Sequence, residues 1–177
     1  MADYYSPTVV RPSIPAQAIT SLELAVLTQM FECEADGDAV YFFSSEGPSD
    51  TIWLDVETLK AGLAEQAGTP GALADIVREA LEAIAIDEGE IDLDLSDLGE
   101  ARIFQDIVRR CEDLNAISII SAWTCTKMRP DGFGGGVTVV TADHILCSST
   151  SQMECELLDR AEAGENGGAP GQEMGHG

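Results

Sequence analysis

Ala116-Ile-Ser-Ile-Ile-Ser-Ala-Trp-Thr-Cys-Thr126, followed after ten residues by Val137-Thr-Val-Val-Thr141, is the stretch that decides the fold. β-Branched residues crowd both runs, so both read as strands. The connection, Lys127-Met-Arg-Pro-Asp-Gly-Phe-Gly-Gly-Gly136, holds four glycines and a Pro-Asp-Gly turn, which makes it a hairpin loop. Upstream, Gly99–Leu114 repeats at helical spacing, burying Ile103, Phe104, Ile107, Val108 and Cys111. Ile91–Leu95 alternates apolar residues with Asp92 and Asp94, the period of a half-buried strand with its acidic side in water.

Further back, Thr69-Pro70 is a helix start, with Leu73, Ile76, Val77, Ala80, Leu81 and Ile84 on one face. Asp55 caps a short helix bearing Val56, Leu59 and Leu63. Ala39–Phe43 and Thr51–Leu54 flank a Glu46–Asp50 loop and read as a second hairpin. Thr20 and Glu23 form a capping box for a helix whose stripe is Leu24, Val26, Leu27, Met30 and Phe31, ending near Asp36-Gly37-Asp38. Pro7, Pro12 and Pro15 make residues 1–19 an extended arm or a meandering edge strand. Downstream, Thr150 or Ser151 caps a last helix with Met153, Leu157 and Leu158 inward. Residues 163–177 are acidic and glycine-rich, and are expected to be a disordered tail. The pattern predicts one α+β domain over residues 1–162, with an antiparallel or mixed sheet and helices packed mainly on one face.

The 177 residues carry a net charge of −23 and 45% hydrophobic residues, enough for one apolar core without metal or disulfide support. Nineteen of the 32 carboxylates lie between Glu32 and Glu100, where Lys60 and Arg78 are the only cations, so that segment holds −17. Residues 101–147 are balanced, five against five. Such a surface repels phosphate backbones and anionic lipid, which excludes direct nucleic-acid or membrane binding. A target of this charge is cationic, either a basic protein surface or a divalent ion; solubility alone also explains it. Met1–Val10 lacks Lys and Arg, and Ala116–Trp123 is far short of the ~20 residues a membrane helix needs. Five irregularly spaced cysteines read as reduced thiols, and the expected location is cytoplasmic.

Asp92-x-Asp94-x-Ser96 begins like a calcium loop, but Asp97 stands where glycine is needed and Ile103 where glutamate is needed. His144-x-x-Cys147 is a single ligand pair where structural zinc needs two. No metal and no cofactor is expected. Asp87, Glu88, Glu90, Asp92, Asp94 and Asp97 form the candidate partner-binding acidic face. The alternative site is an anion or partner loop made of Arg109, Arg110, Lys127, Arg129 and Phe133. Val137 follows the last glycine where a phosphate loop has lysine, so the match to that motif fails. No catalytic residue can be nominated, because Ser-His-Asp, Cys-His and Gly-x-Ser-x-Gly arrangements are all missing.

Five segments in this order carry a resemblance: Met1-Ala-Asp-Tyr-Tyr-Ser-Pro-Thr-Val9, Tyr41-Phe-Phe43 with Glu46-Gly-Pro-Ser49, Ile91-Asp-Leu-Asp-Leu95, Phe104-Gln-Asp-Ile-Val-Arg-Arg110 and Lys127-Met-Arg-Pro-Asp-Gly-Phe-Gly-Gly135. Over roughly residues 1–160 the chain resembles uncharacterised alphaproteobacterial proteins carried on plasmids and integrated elements among antirestriction and partition genes. The resemblance implies a mobile-element accessory protein and transfers no site residues. The function expected is non-enzymatic protein binding, with the Glu32–Glu100 charge imitating DNA to inhibit a host restriction or CRISPR-type nuclease. Two alternatives stay open: an anion or small-molecule module at the loop 127–136, and a small enzyme of unidentified chemistry. Carboxylates in two rows along a ridge would favour mimicry, whereas a pocket joining Arg109, Lys127 and the glycine loop would favour the anion module.

Overall fold

Three prolines, Pro7, Pro12 and Pro15, divide the N-terminal arm into short strands, because proline has no N–H to give a ladder. They are β1 (Tyr4–Tyr5), β2 (Thr8–Arg11) and β3 (Ile14–Pro15). A computed structural model describes residues 3–66, 71–84, 89–127 and 129–164, and places these pieces inside an eight-stranded sheet. β1 and β2 line one edge of β8 (Ala116–Cys125), while β2 and β3 line β5 (Ala39–Ser44). The arm is extended, as its composition predicts, but it is central to the sheet. Beyond β8 come β9 (Gly134–Thr141) and β10 (Ile145–Ser149); beyond β5 comes β4 (Glu32–Asp36). All these pairings are antiparallel.

α1 (Ser21–Met30) begins at the expected capping box: Glu23 N donates to Thr20 Oγ1 at 3.2 Å, and Thr20 N donates to Glu23 Oε2 at 3.0 Å. It stops at Met30, earlier than its stripe suggests, and Leu24 is exposed. The Asp36-Gly37-Asp38 signal is instead the turn of the β4–β5 hairpin, with Gly37 at φ 61°, where a side chain would be strained. The hairpin expected across Glu46–Asp50 does not form. β6 (Thr51–Asp55) leaves the main sheet and pairs with β7 (Glu90–Asp94), a strand almost forty residues later.

Asp55 caps α2 (Val56–Glu65) through Thr58 N at 2.8 Å, as its sequence indicates. The Thr69-Pro70 start lies outside the described residues. α3 (Ala72–Ala83) is capped from elsewhere, since Ala72 N donates to Asp106 Oδ2 at 3.0 Å, on α4 (Glu100–Arg110). This tertiary cap also fixes the α3–α4 packing.

Burial alternates along β8, where Ile117 and Ile119 are buried and face α4. Their neighbours Val10 and Val140, with Phe42, complete an apolar floor on the same side. Phe31, Phe42 and Phe104 meet there edge-on or tilted, with centroids 5.9–6.3 Å apart. Ile52, Leu54, Ile91 and Leu93 of the two-stranded sheet join the same core. Each such side chain contributes about 1.5–3 kcal/mol by leaving water. The domain is α+β, with a mostly antiparallel sheet and helices mainly on one face. On the other face, among the described residues, Val137 and Leu146 stay exposed.

α5 (Thr150–Glu162) corrects an expectation. Its cap is Ser149, whose hydroxyl accepts from Gln152 N at 3.2 Å. Met153, Leu157 and Leu158, expected inward, are 54%, 58% and 57% exposed. The helix touches β9 and β10 near its start, and no residue of it is buried. Spacing identified the stripe, but spacing does not say whether the chain itself supplies a surface for it. The tail expected from residue 163 falls outside the described residues from 165 onward.

Candidate functional site

Period-two alternation puts Glu90, Asp92 and Asp94 on one side of β7 while Ile91 and Leu93 enter the core. β6 alternates likewise, so Thr51, Trp53 and Asp55 lie on the same outer side. The register sets Trp53 opposite Asp92, Thr51 opposite Asp94 and Asp55 opposite Glu90. Trp53 is 63% exposed, an unusual position for the largest apolar side chain. With Glu90 and Asp92 it walls a cleft of about 660 Å³ whose remaining lining is Ala80, Ala83, Ile84 and Ile91. An aromatic face beside two carboxylates can hold a cationic side chain by ion–quadrupole attraction and charge. Periodicity revealed the aspartates; the tryptophan was missed because its strand partner lies far away in sequence.

Among the described residues, none of Glu90, Asp92 and Asp94 is in an ion pair with a lysine or arginine. Asp94 is held below the usual carboxylate range by a hydrogen bond from the Ser96 hydroxyl and, next, by Ser96 N–H at 3.0 Å. Asp97 is exposed in the turn after β7. Asp87 and Glu88 lie outside the described residues. Along β7 the carboxylates recur every second residue, about 6.8 Å, whereas one strand of duplex carries a charge per ~3.4 Å. Glu32, Glu34 and Asp36 of the acidic segment are on β4, an edge of the other sheet. The −17 is therefore distributed over separate elements.

The residues of the alternative site are not brought together. Arg109 and Arg110 end α4, where Arg109 Nε donates to Ala142 O at 2.8 Å and Nη1 meets Asp106 Oδ1 at 3.2 Å. Arg110 Nη2 meets Glu23 Oε2 at 2.5 Å. These arginines line a cleft of about 420 Å³ with Arg102, Asp75, Asp106 and the start of α3. Lys127 and Arg129 lie past the opposite end of β8, roughly 30 Å away along the strand. Phe133 is 45% exposed beside them. The glycines after it belong to β9: a Cβ on Gly134 would stand 2.8 Å from both Trp123 Cε3 and Thr150 Oγ1. Gly135 N donates to Thr150 Oγ1 at 3.1 Å. Close packing thus accounts for Gly134, and for Gly135, whose Cβ would stand 2.9 Å from Ser121 O, whereas Gly136 meets only ordinary contacts.

Among the described residues, no three His, Cys, Asp or Glu side chains are placed to hold a metal ion. Nor is any helix there long and apolar enough to cross a membrane. Comparison with protein-family models, curated proteins and solved structures gives no match.

Proposed function

We propose that this is a non-enzymatic protein-binding protein whose outer β6–β7 face engages a cationic surface on its partner. One observation carries the reading: Trp53, 63% exposed, stands among unpaired carboxylates at the mouth of a cleft. Tryptophan dominates binding energies where it is desolvated by a partner, and surrounding carboxylates select a lysine or arginine to meet it. The partner class we assign is the nucleic-acid groove of a host defence nuclease. That assignment follows from the acidity and from the resemblance to mobile-element proteins, and the action would be cytoplasmic. The β7 row alone has half the charge density of a DNA strand and is not the two-row ridge that mimicry calls for, so the nuclease assignment stands on the acidity and the resemblance. The arginine-lined cleft is less favoured, because Arg109 and Arg110 already hold protein acceptors.

The test is affinity capture from an alphaproteobacterial host extract with wild type and Trp53→Ala side by side. The expected result is a basic protein retained by wild type, lost from the variant and displaced by duplex DNA. Equal retention by both would overturn the assignment to this face.

A further inference from the structure

We propose that the uncovered face of the eight-stranded sheet receives helix α5 of a second copy of this chain, in a reciprocal dimer. The sheet side of the contact is a row in direct register across four strands: Val137 pairs Ile120, Ile120 pairs Val9, and Val9 pairs Phe43. Buried neighbours such as Val10, Ile119 and Val140 point to the helix side, so this row lies on the opposite face of the sheet. Val137, 40% exposed, ends the row beside Ser148 of β10, and Leu146, 62% exposed and paired with Val139, lies on the same face in the neighbouring row. On the other side Tyr41 stacks on Phe43 at 5.4 Å beside a groove of about 460 Å³. Antiparallel sheets that face water normally alternate to polar residues, and along the row from Val137 to Phe43 this one does not.

The occupant is argued from α5. Its start is held by the Ser149 cap and by Gly135 N donating to Thr150 Oγ1, and no residue along it is buried. Met153, Leu157 and Ala161 fall on one i, i+4 row, and Glu154 and Leu158 on the adjacent row. A helix of 13 residues is marginal alone, so an exposed apolar stripe on one calls for a partner. The dimensions agree: α5 is about 20 Å long, and five strands from β10 to β5 span about 19 Å. Two reciprocal contacts bury on the order of 1,000 Å², which a specific interface needs. On β2 and β8–β10 the formal charge of this face is the exposed Arg11, opposite in sign to Glu154 of the α5 stripe, while the carboxylates of Glu32 and Glu34 on β4 bound the face beyond Phe43 and Tyr41.

The test is the oligomeric state of the full chain by sedimentation velocity. A species of twice 18.8 kDa is expected, strengthened by salt because screening relieves repulsion between two copies of charge −23. Leu157→Glu with Leu158→Glu removes the helix side; Val137→Glu with Leu146→Glu removes the sheet side. Each double variant should raise the dissociation constant at least about tenfold. A cooperative melt shows that each variant is folded; if one is not, Leu146→Glu alone carries the sheet-side test. A monomeric wild type would overturn the proposal. So would a helix variant that stays dimeric, which means face meets face, or a face variant that stays dimeric, which means helix meets helix.

Discussion

Glu23 Oε2 lies 2.5 Å from Arg110 Nη2, so one carboxylate both closes the cap of α1 and anchors the end of α4. The two helices come from sequence positions 87 residues apart, and the pair is the polar tie between them. Glu23 is almost wholly buried and Arg110 three-quarters so.

Glu23→Ala should therefore cost about 3 kcal/mol, the lower end for breaking a buried pair, since Arg110 can still reach some water. Half of the capping box is lost with it. Urea unfolding would show a lower midpoint with an unchanged slope. A loss below about 1 kcal/mol would mean that the arginine rehydrates freely and that the tie is weak.

Gly62→Ala sets two effects against each other at the α1–α2 crossing. Alanine is a better helix former than glycine by up to about 1 kcal/mol. Its Cβ, however, would stand 3.0 Å from both Cα and Cβ of Leu22 and 3.2 Å from Leu22 N. Backbone cannot swing aside as a side-chain tip can, so α1 and α2 must separate. We expect a net loss of about 1–3 kcal/mol, read as a fall in melting temperature; a rise would show that the crossing yields easily.

The elements legible in the sequence were those with local signals. The Thr20–Glu23 box, the Asp55 cap and the Ile91–Leu95 alternation each depend on residues within one turn or one strand. What failed depended on partners distant in sequence. Asp36-Gly37 was read as a helix stop because Glu32–Asp36 has no β-branched residue to announce a strand; it pairs because β5 offers an edge. Thr51–Leu54 and Ile91–Leu95 were both recognised as strands, yet nothing in their periodicity says that they pair with each other. For the candidate site, this hid Trp53, since a tryptophan in an alternating strand reads as core until its partner strand is known.

Ser96 favours the ionised form of Asp94 at one end of the acidic row. Its hydroxyl is the larger cause holding the Asp94 carboxyl low, with its N–H second. A carboxyl depressed on folding adds stability that is present above its unfolded pKa and lost as pH falls through the folded one. Ser96→Ala removes the larger cause and leaves the N–H. The Asp94 titration midpoint, followed by carbon-detected NMR, should rise toward the ordinary aspartate value of about 3.9. An unmoved midpoint would mean that the backbone bond alone sets it.

Binding to the captured partner should rank the two candidate surfaces. Trp53→Ala should weaken it by about 2 kcal/mol, roughly 30-fold, if the ring is desolvated in the complex. The melting temperature should change little, because the ring is already 63% exposed. Asp92→Lys with Asp94→Lys should slow association more than it hastens dissociation, since exposed charges steer encounter. Affinity of the wild type should fall steeply with salt, opposite in sign to the self-association through the open sheet face. Lys127→Ala with Arg129→Ala should bind like wild type, because those residues lie beyond the far end of β8, off the β6–β7 ladder. If the loop variant loses binding while the tryptophan and aspartate variants keep it, the partner surface is at the β8–β9 loop, and the acidity of residues 32–100 serves solubility.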